Sequence, residues 1–281
     1  MKRKPDWLRI QSKSNQNVAF VEKIISNSNL NTVCAEANCP NYTECFSKKI
    51  ATFMILGKNC TRDCNFCNVS HETPEQISAA EPENLAGAVS ALGLKYVVIT
   101  SVTRDDLADG GAEHFAKTIK AVRKSSPETT IEALIPDFKG EQNALRTVAD
   151  SCPNVISHNV ETVPELYAAV RQQAKYRRSL DLLKNIKLLN PKIHSKSGIM
   201  LGMGETKEQV LKLFKDLRKT DCDFLTIGQY LAPTARHYPI AEFITPEQFE
   251  EYGLVAKEMG FLFVASAPLV RSSYNASEAF E

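Results

Sequence analysis

Neither sign of charge is in excess in this chain: 34 lysines and arginines face 33 aspartates and glutamates over 281 residues, for a formal net charge of +1. That balance argues against a broad electrostatic footprint for nucleic acid. No apolar run reaches the roughly 18 residues that a membrane-spanning helix needs, so no membrane partner is expected. The basic start, Lys2, Arg3 and Lys4, leads into Pro5, Asp6 and Trp7 and not into an apolar stretch. A secretory leader is therefore not expected, and the cytoplasm is the expected location. Internal repeats, low-complexity tracts and flexible linkers are missing too, which leaves one catalytic domain with terminal extensions as the simplest organisation. A hydrophobic content of 43% supplies the core for it.

The most informative lack is a fourth cysteine in either of two groups. Cys34, Cys39 and Cys45 are spaced C-x4-C-x5-C, and Cys60, Cys64 and Cys67 are spaced C-x3-C-x2-C. Eight cysteines in a non-secreted chain of this size read as metal ligands or redox groups before disulfides. A structural zinc ion closes its shell with four ligands. Three thiolates on a four-iron cluster leave one iron without a cysteine, and such an iron is open to chemistry. For the second group the alternative is a zinc knuckle completed by His71. Cys152 and Cys222 stand apart and are expected to be small core residues.

Short apolar runs rich in Val, Ile, Phe and Thr predict strands at 51–56, 96–102, 130–135, 155–160, 197–201 and 224–231, with one further apolar run at 261–265. Runs of this kind suit a parallel sheet buried on both faces. Helical segments alternate with them: 82–92 with Pro82 in the first position, 112–124 ending in basic residues, 205–218, and one that starts at Thr245 and runs to about 259. Thr245, Pro246 and Gln248 have the types of an N-cap, a first-position proline and a capping-box partner. The alternation predicts an α/β fold, an incomplete (β/α)6 TIM-like barrel of parallel strands with N- and C-terminal extensions. The expected divisions are an extension at 1–48 with the first cysteines, a barrel at 49–240, and a helix and tail at 241–281. Residues 1–50 are poorly periodic, with short helical pieces.

The second group follows the first barrel strand directly, where parallel α/β folds build their active sites. That spacing, that position and Phe66 before the last cysteine resemble the signature loop of the radical S-adenosylmethionine (SAM) superfamily. The first group, CAEANCPNYTEC, resembles the auxiliary-cluster motif of the lipoyl synthase family. Further stretches match that family in order: the Cys60 loop, TSVTRDDL-x-DGGA, HN-x-ET, GIMLG-x-GE and APL-x-RSSY. The resemblance covers nearly the whole chain after about residue 30.

The resemblance implies two 4Fe-4S clusters and SAM as cofactors. Cys60, Cys64 and Cys67 would hold the cluster that binds SAM and generates a deoxyadenosyl radical. Cys34, Cys39 and Cys45 would hold a second cluster, with Ser273 of the RSSY motif as its fourth ligand. That cluster is the sulfur source for insertion at C6 and C8 of a protein-bound octanoyl-lysine. Phe66, Asp105, Asp109, Asn159 and Glu161 are the expected cofactor contacts. Arg178, or Arg177, is a candidate for the SAM carboxylate. Asp105 and Asp106 also read as helix caps, and Glu161 as a solvated carboxylate. After RSSY the family pattern continues His-Ala-Asp, whereas this chain has Asn275, Ala276 and Ser277.

The implied partners are octanoylated lipoyl-acceptor domains, of the glycine cleavage H protein or of 2-oxoacid dehydrogenase acyltransferase subunits. A reducing protein such as ferredoxin or flavodoxin and an iron–sulfur carrier protein complete the set. The basic stretch Lys175, Arg177, Arg178, Lys184 and Lys187 reads first as a solvated helix face and second as a docking surface for an acidic acceptor. The competing readings are another sulfur-inserting enzyme, such as a biotin synthase or a methylthiotransferase, and a metal-binding electron carrier.

Overall fold

The structure, a computed structural model, describes residues 3–9, 16–274 and 276–280. Lys2 of the basic start and Asn275 of the tail lie outside the described residues. Eight strands follow chain order through one sheet: β1 (Asn31–Thr32), β2 (Thr52–Ile55), β3 (Tyr96–Ser101), β4 (Thr130–Leu134), β5 (Val155–Ser157), β6 (His194–Leu201), β7 (Phe224–Gln229) and β8 (Phe263–Ser266). β2 pairs with β3, β3 with β4, β6 with β7 and β7 with β8, all in parallel, whereas β1 adds an antiparallel edge to β2. All six expected strands are present. The apolar run at 261–265 supplies β8, and β1 is an addition that two residues were too few to announce.

By contacts the chain forms two compact units: Gln11–Arg62 with Asn68–Ile156, and Met1–Ile10 with Asp63–Cys67 and Ser157–Glu281. In the first unit β2 is buried at every position, and its Phe53 and Ile55 are 0% exposed. Helices Glu81–Leu92 and Ala112–Ser125 bury Leu85, Val89, Phe115 and Ile119. Glu81 precedes Pro82, so the proline sits second in its helix and not first. The buried Glu81 carboxylate explains the earlier start: it accepts from the Leu56 N–H at 2.9 Å and meets His114 Nε2 at 2.7 Å. The extension forms helices Gln16–Asn27, Val33–Glu36 and Tyr42–Ser47.

In the second unit β6 begins three residues before the expected Ser197. Its first residues look too polar for a buried strand, yet Ser195 and Ser197 are fully buried. Their polar atoms are satisfied: the Ser195 N–H donates to Asp223 Oδ2 at 2.9 Å, and Ser197 Oγ donates to the His158 carbonyl at 2.9 Å. The helix expected from Glu205 starts at Lys207, capped by Thr206 and Gln209. Glu205 turns back instead and accepts from the Gly202 and Met203 N–H groups. Helix Pro246–Glu258 has the expected Thr245 and Gln248 capping box. Cys222 is fully buried as expected, but Cys152 is exposed, on a residue with φ of 58° that terminates a helix at the surface. Among the described residues no helix is long and apolar enough to cross a membrane.

The tail crosses the end of β7. The Gln229 N–H donates to the Pro268 carbonyl at 3.2 Å, and a Cβ on Gly228 would lie 2.0 Å from the Val270 carbonyl oxygen. Only glycine permits that approach. Gly228→Ala is expected to displace residues 268–274 and to cost about 1–3 kcal/mol, the usual range for overpacking. Urea unfolding and limited proteolysis of the tail check this; an unchanged midpoint with a protected tail contradicts it.

Candidate metal centres

Cys34, Cys39 and Cys45 lie in one unit on two short helices and the turn between them. The turn is closed by the Cys39 N–H donating to the Cys34 carbonyl at 3.0 Å and by the Tyr42 N–H donating to the Cys39 carbonyl at 3.2 Å. Helix Gln16–Asn27 braces the second of these helices: Tyr42 Oη donates to Glu22 at 2.7 Å, and Asn17 Nδ2 donates to the Ser47 carbonyl at 2.8 Å. Burial pushes the Cys34 thiol up to about 11 and the Cys45 thiol up to about 12. At Cys34 a hydrogen bond with Thr52 opposes the rise and the charge of Cys39 adds to it, and at Cys45 the charges of Cys34 and Cys39 add to it. Buried thiols grouped on so short a stretch are a donor set that a cationic, thiophilic centre would stabilise.

The second group hangs on a loop with no regular structure, and each end is fastened within its own unit. Leu56 leaves β2 with φ of 70°, and its carbonyl accepts from Arg104 Nη1 at 3.1 Å. The Cys60 N–H donates to the Ser70 carbonyl at 2.7 Å, while the Cys60 sulfur accepts from the N–H groups of Arg62 at 3.4 Å and Thr103 at 3.3 Å. Thr61 binds the Thr103 carbonyl through its N–H and its hydroxyl, at 3.0 and 2.9 Å.

Arg62 is the strongest fastening. Its buried guanidinium donates to both oxygens of Asp105, at 2.7 and 3.0 Å, and to Asp137 at 2.6 Å. The loop is thereby tied to the residues beyond the C-terminal ends of β3 and β4. Asp105, expected at the cofactor, thus has both carboxylate oxygens engaged by Arg62. Asp109 accepts from the Gly111 and Glu113 N–H groups at 2.9 and 2.8 Å and so caps helix Ala112–Ser125. Asp106 pairs with Arg104 at 2.8 Å.

In the other unit the Cys67 N–H donates to the Cys64 carbonyl at 2.9 Å. Asn65 donates through its N–H to the Val170 carbonyl at 3.0 Å and through Nδ2 to the Ala169 carbonyl at 2.7 Å. Phe66 packs against a buried cluster of Val170, Met203 and Tyr230. Asn159 and Glu161 lie beyond β5, with Asn159 Nδ2 donating to Glu161 at 3.1 Å. Glu161 holds φ of 65°, a costly conformation outside glycine and one that concentrates at functional sites. Burial raises the pKa of its carboxyl, against the pull of Arg171, Asn159 and Arg271. Gly198 makes room here, because a Cβ would sit 2.9 Å from Asn159 Oδ1.

Arg171 escapes a reading by sequence motif, because it sits in a stretch without one. Its Nη1 donates to the Asn159 and Val160 carbonyls at 3.0 and 3.1 Å. Burial works against its cationic form, and the charges of Tyr167, Glu161 and Cys64 outweigh that and hold its pKa above the ordinary value. Arg171 Nε and Asn159 Oδ1 are both buried without a hydrogen-bond partner, an unused donor and an unused acceptor. A polar ligand with both functions would satisfy them. Arg177 pairs with Asp181 at 3.0 Å on an exposed helix face, and Lys187 with Asp223 at 2.8 Å. Arg178 lies half-buried on the same helix, Tyr176–Leu189. Ser273 falls in a turn closed by the Tyr274 N–H donating to the Arg271 carbonyl at 2.9 Å.

None of the eight cysteines forms a disulfide. Among the described residues no three His, Cys, Asp or Glu side chains converge on the position of a single metal ion.

Residues 54–217 match the Radical SAM superfamily. A lipoyl synthase of Alkaliphilus metalliredigens (strain QYMF) is 57% identical over 281 residues, which is 100% of this chain and 97% of that protein. A lipoyl synthase of Caldicellulosiruptor saccharolyticus is 55% identical over 276 residues, covering 98% of this chain and 97% of the relative. Among solved structures, methylornithine synthase (PylB) superposes with a TM-score of 0.53 at 13% identity, over 79% of this chain and 74% of that one. Streptococcus suis SuiB bound to S-adenosylmethionine superposes with a TM-score of 0.57 at 12% identity, over 86% and 58%. These structural likenesses show the fold, the expected α/β incomplete barrel.

Two predictions follow from the fastenings and the thiols. Arg62→Met takes the buried arginine away from Asp105 and Asp137 and should cost about 3–5 kcal/mol in denaturant unfolding; a loss below about 1 kcal/mol contradicts the role given to Arg62. In cluster-free protein the raised thiols of Cys34 and Cys45 contribute stability that is complete below the ordinary value of 9.0 and is lost as pH rises towards about 11 and 12. Melting temperatures measured across that range should therefore fall more steeply than those of a Cys34→Ala, Cys45→Ala double variant; parallel curves contradict it.

Proposed function

The chain belongs to the lipoyl synthase family of the radical SAM superfamily, and on that premise we propose which of its residues carry the chemistry. It is a sulfur-inserting enzyme that uses SAM and two 4Fe-4S clusters to place sulfur at C6 and C8 of an octanoyl chain held on a lysine of a protein substrate. When bound, one cluster and SAM supply a radical that takes hydrogen from an unactivated C–H bond, and the other cluster supplies sulfur. The rest is done by the protein's own side chains.

Cys60, Cys64 and Cys67 hold the cluster that meets SAM. The observation that carries this is their place on one short loop straight after β2, fastened by Arg62 on one side and by Asn65 on the other. A loop so held keeps its thiolates in place when an electron arrives. Asn159 Oδ1, Arg171 Nε and the Glu161 carboxylate are the groups that would bind the polar parts of SAM, with Phe66 as an apolar wall. Asp105 and Asp109 serve the same site by fixing its loops. Arg178 is a further carboxylate partner on an adjoining segment.

Cys34, Cys39 and Cys45 hold the sulfur-donating cluster, with Ser273 as the fourth ligand from the tail. An alkoxide is a harder base than a thiolate and holds iron less firmly, which suits a cluster that gives up sulfur. The divisions fit this work: 1–48 brings three thiols, 49–240 the barrel, and 241–281 the serine. The acceptors are octanoylated domains of the glycine cleavage H protein or of 2-oxoacid dehydrogenase acyltransferase subunits. Ferredoxin or flavodoxin delivers electrons, and an iron–sulfur carrier rebuilds the spent cluster. A reducing cytoplasm is the compartment in which eight cysteines outside disulfides persist.

Reduced enzyme given SAM and an octanoyl-lysine peptide is expected to form 5′-deoxyadenosine and a lipoyl peptide, read by mass spectrometry. In Ser273→Ala, SAM cleavage should continue while lipoyl product falls by about tenfold or more, the usual loss for a weakened metal site. Full product formation by that variant refutes the serine's role.

A further inference from the structure

Residues 230–245, between β7 and helix Pro246–Glu258, have no regular structure, yet they are closely tied down. Gln229, fully buried, donates through Nε2 to the Tyr230 and Glu242 carbonyls at 3.0 and 3.1 Å, and its Oε1 accepts from the Ile244 N–H at 2.8 Å. Tyr230 Oη donates to the Tyr238 carbonyl at 2.8 Å, and the Ala241 N–H donates to the Gly202 carbonyl at 2.9 Å. A segment held at this many points is a rigid strap, and it touches the cysteine loop twice within one unit. The Tyr238 N–H donates to the Asn65 carbonyl at 2.7 Å, and His237 Nε2 lies 3.0 Å from the Cys67 carbonyl oxygen.

The chemistry of the second contact fixes the imidazole. A carbonyl oxygen only accepts, so Nε2 carries the hydrogen. Nδ1 lies 2.9 Å from Thr234 Oγ1, which itself accepts from the Arg236 N–H at 3.2 Å. In the neutral ring Nδ1 is then an acceptor, and the threonine hydroxyl donates to it. Both ring nitrogens are thus engaged, and the neutral ring is held as the Nε2–H tautomer.

We propose that His237 is a positioning residue for the third cysteine of the loop. By holding the Cys67 carbonyl it fixes that peptide plane, and with it the direction in which the Cys67 sulfur leaves the backbone. The sulfur's direction sets how the cysteine-free iron is presented to SAM. Thr234 acts through His237 by holding the tautomer. Partners of this kind orient metal ligands, and their loss commonly costs about 10–100-fold in affinity or activity. The proposal rests on the assignment of Cys60, Cys64 and Cys67 given above.

Two replacements of similar size separate positioning from bulk. In His237→Gln the amide N–H reaches the place of Nε2; in His237→Asn it reaches only that of Nδ1. Full-length variants are reconstituted anaerobically, their iron is counted, and the reduced cluster is titrated with SAM by electron paramagnetic resonance. Wild type and His237→Gln are expected to respond at similar SAM concentrations, and His237→Asn to need about tenfold more or to lose the response. Thr234→Val should shift the requirement in the same direction by a smaller factor. A wild-type response in His237→Asn, or equal loss in both His237 variants, overturns the proposal. A wild-type spectrum indifferent to SAM overturns instead the assignment of the loop on which the proposal rests.

Discussion

The Arg62 guanidinium, buried against Asp105 and Asp137, is the fastening on which the second cysteine group depends. Its side chain is 5% exposed, and that of Asp137 1%. Charges so placed are stable only together, because each alone would carry the full penalty of lost hydration. The arrangement makes an arginine two residues after Cys60 a link between a loop and the ends of two strands. A loop without regular hydrogen bonds gains rigidity from such links, and cluster ligands need it. The Thr61 contacts to Thr103 and the N–H groups aimed at the Cys60 sulfur belong to the same device.

The first cysteine group is built on the opposite principle. Short helices and a braced turn hold its thiols, and burial raises the pKa of two of them. The tail that carries Ser273 is positioned by backbone proximity, through the room that Gly228 leaves for Val270. On the role proposed for it, a firmly tied loop would suit a cluster that must survive each turnover. On the role proposed for it, a serine ligand would suit a cluster that is dismantled and replaced.

Much of this was legible in the sequence, for identifiable reasons. Strands buried on both faces announce themselves as apolar runs, which is why β2, β3, β4 and β7 fell where expected to within two residues at either end. β6 did not, because its buried serines are satisfied by partners distant in sequence, and Glu205 left its helix because two backbone N–H groups offered its carboxylate more. Cysteine spacing marked both groups, and family motifs marked Asn159 and Glu161. Arg62, Asp137, Arg171 and His237 were not singled out. Their contacts are with main-chain carbonyls and buried carboxylates distant in sequence, which the family motif around Arg62 marks by position but not by partner. Asp105 and Asp109 carried a local signal, but it could not tell a ligand contact from a brace or a cap.

The central claim is a division of labour: one group of three cysteines makes the radical, and the other supplies the sulfur. Cys39→Ala separates the two most directly, because Cys39 is less buried than Cys34 and its loss leaves the Cys60 loop intact. The measurement is 5′-deoxyadenosine and lipoyl product from the same reaction of that variant with SAM and an octanoyl-lysine peptide. The account predicts that deoxyadenosine forms while sulfur insertion stops. Loss of both products, or retention of both, would contradict it.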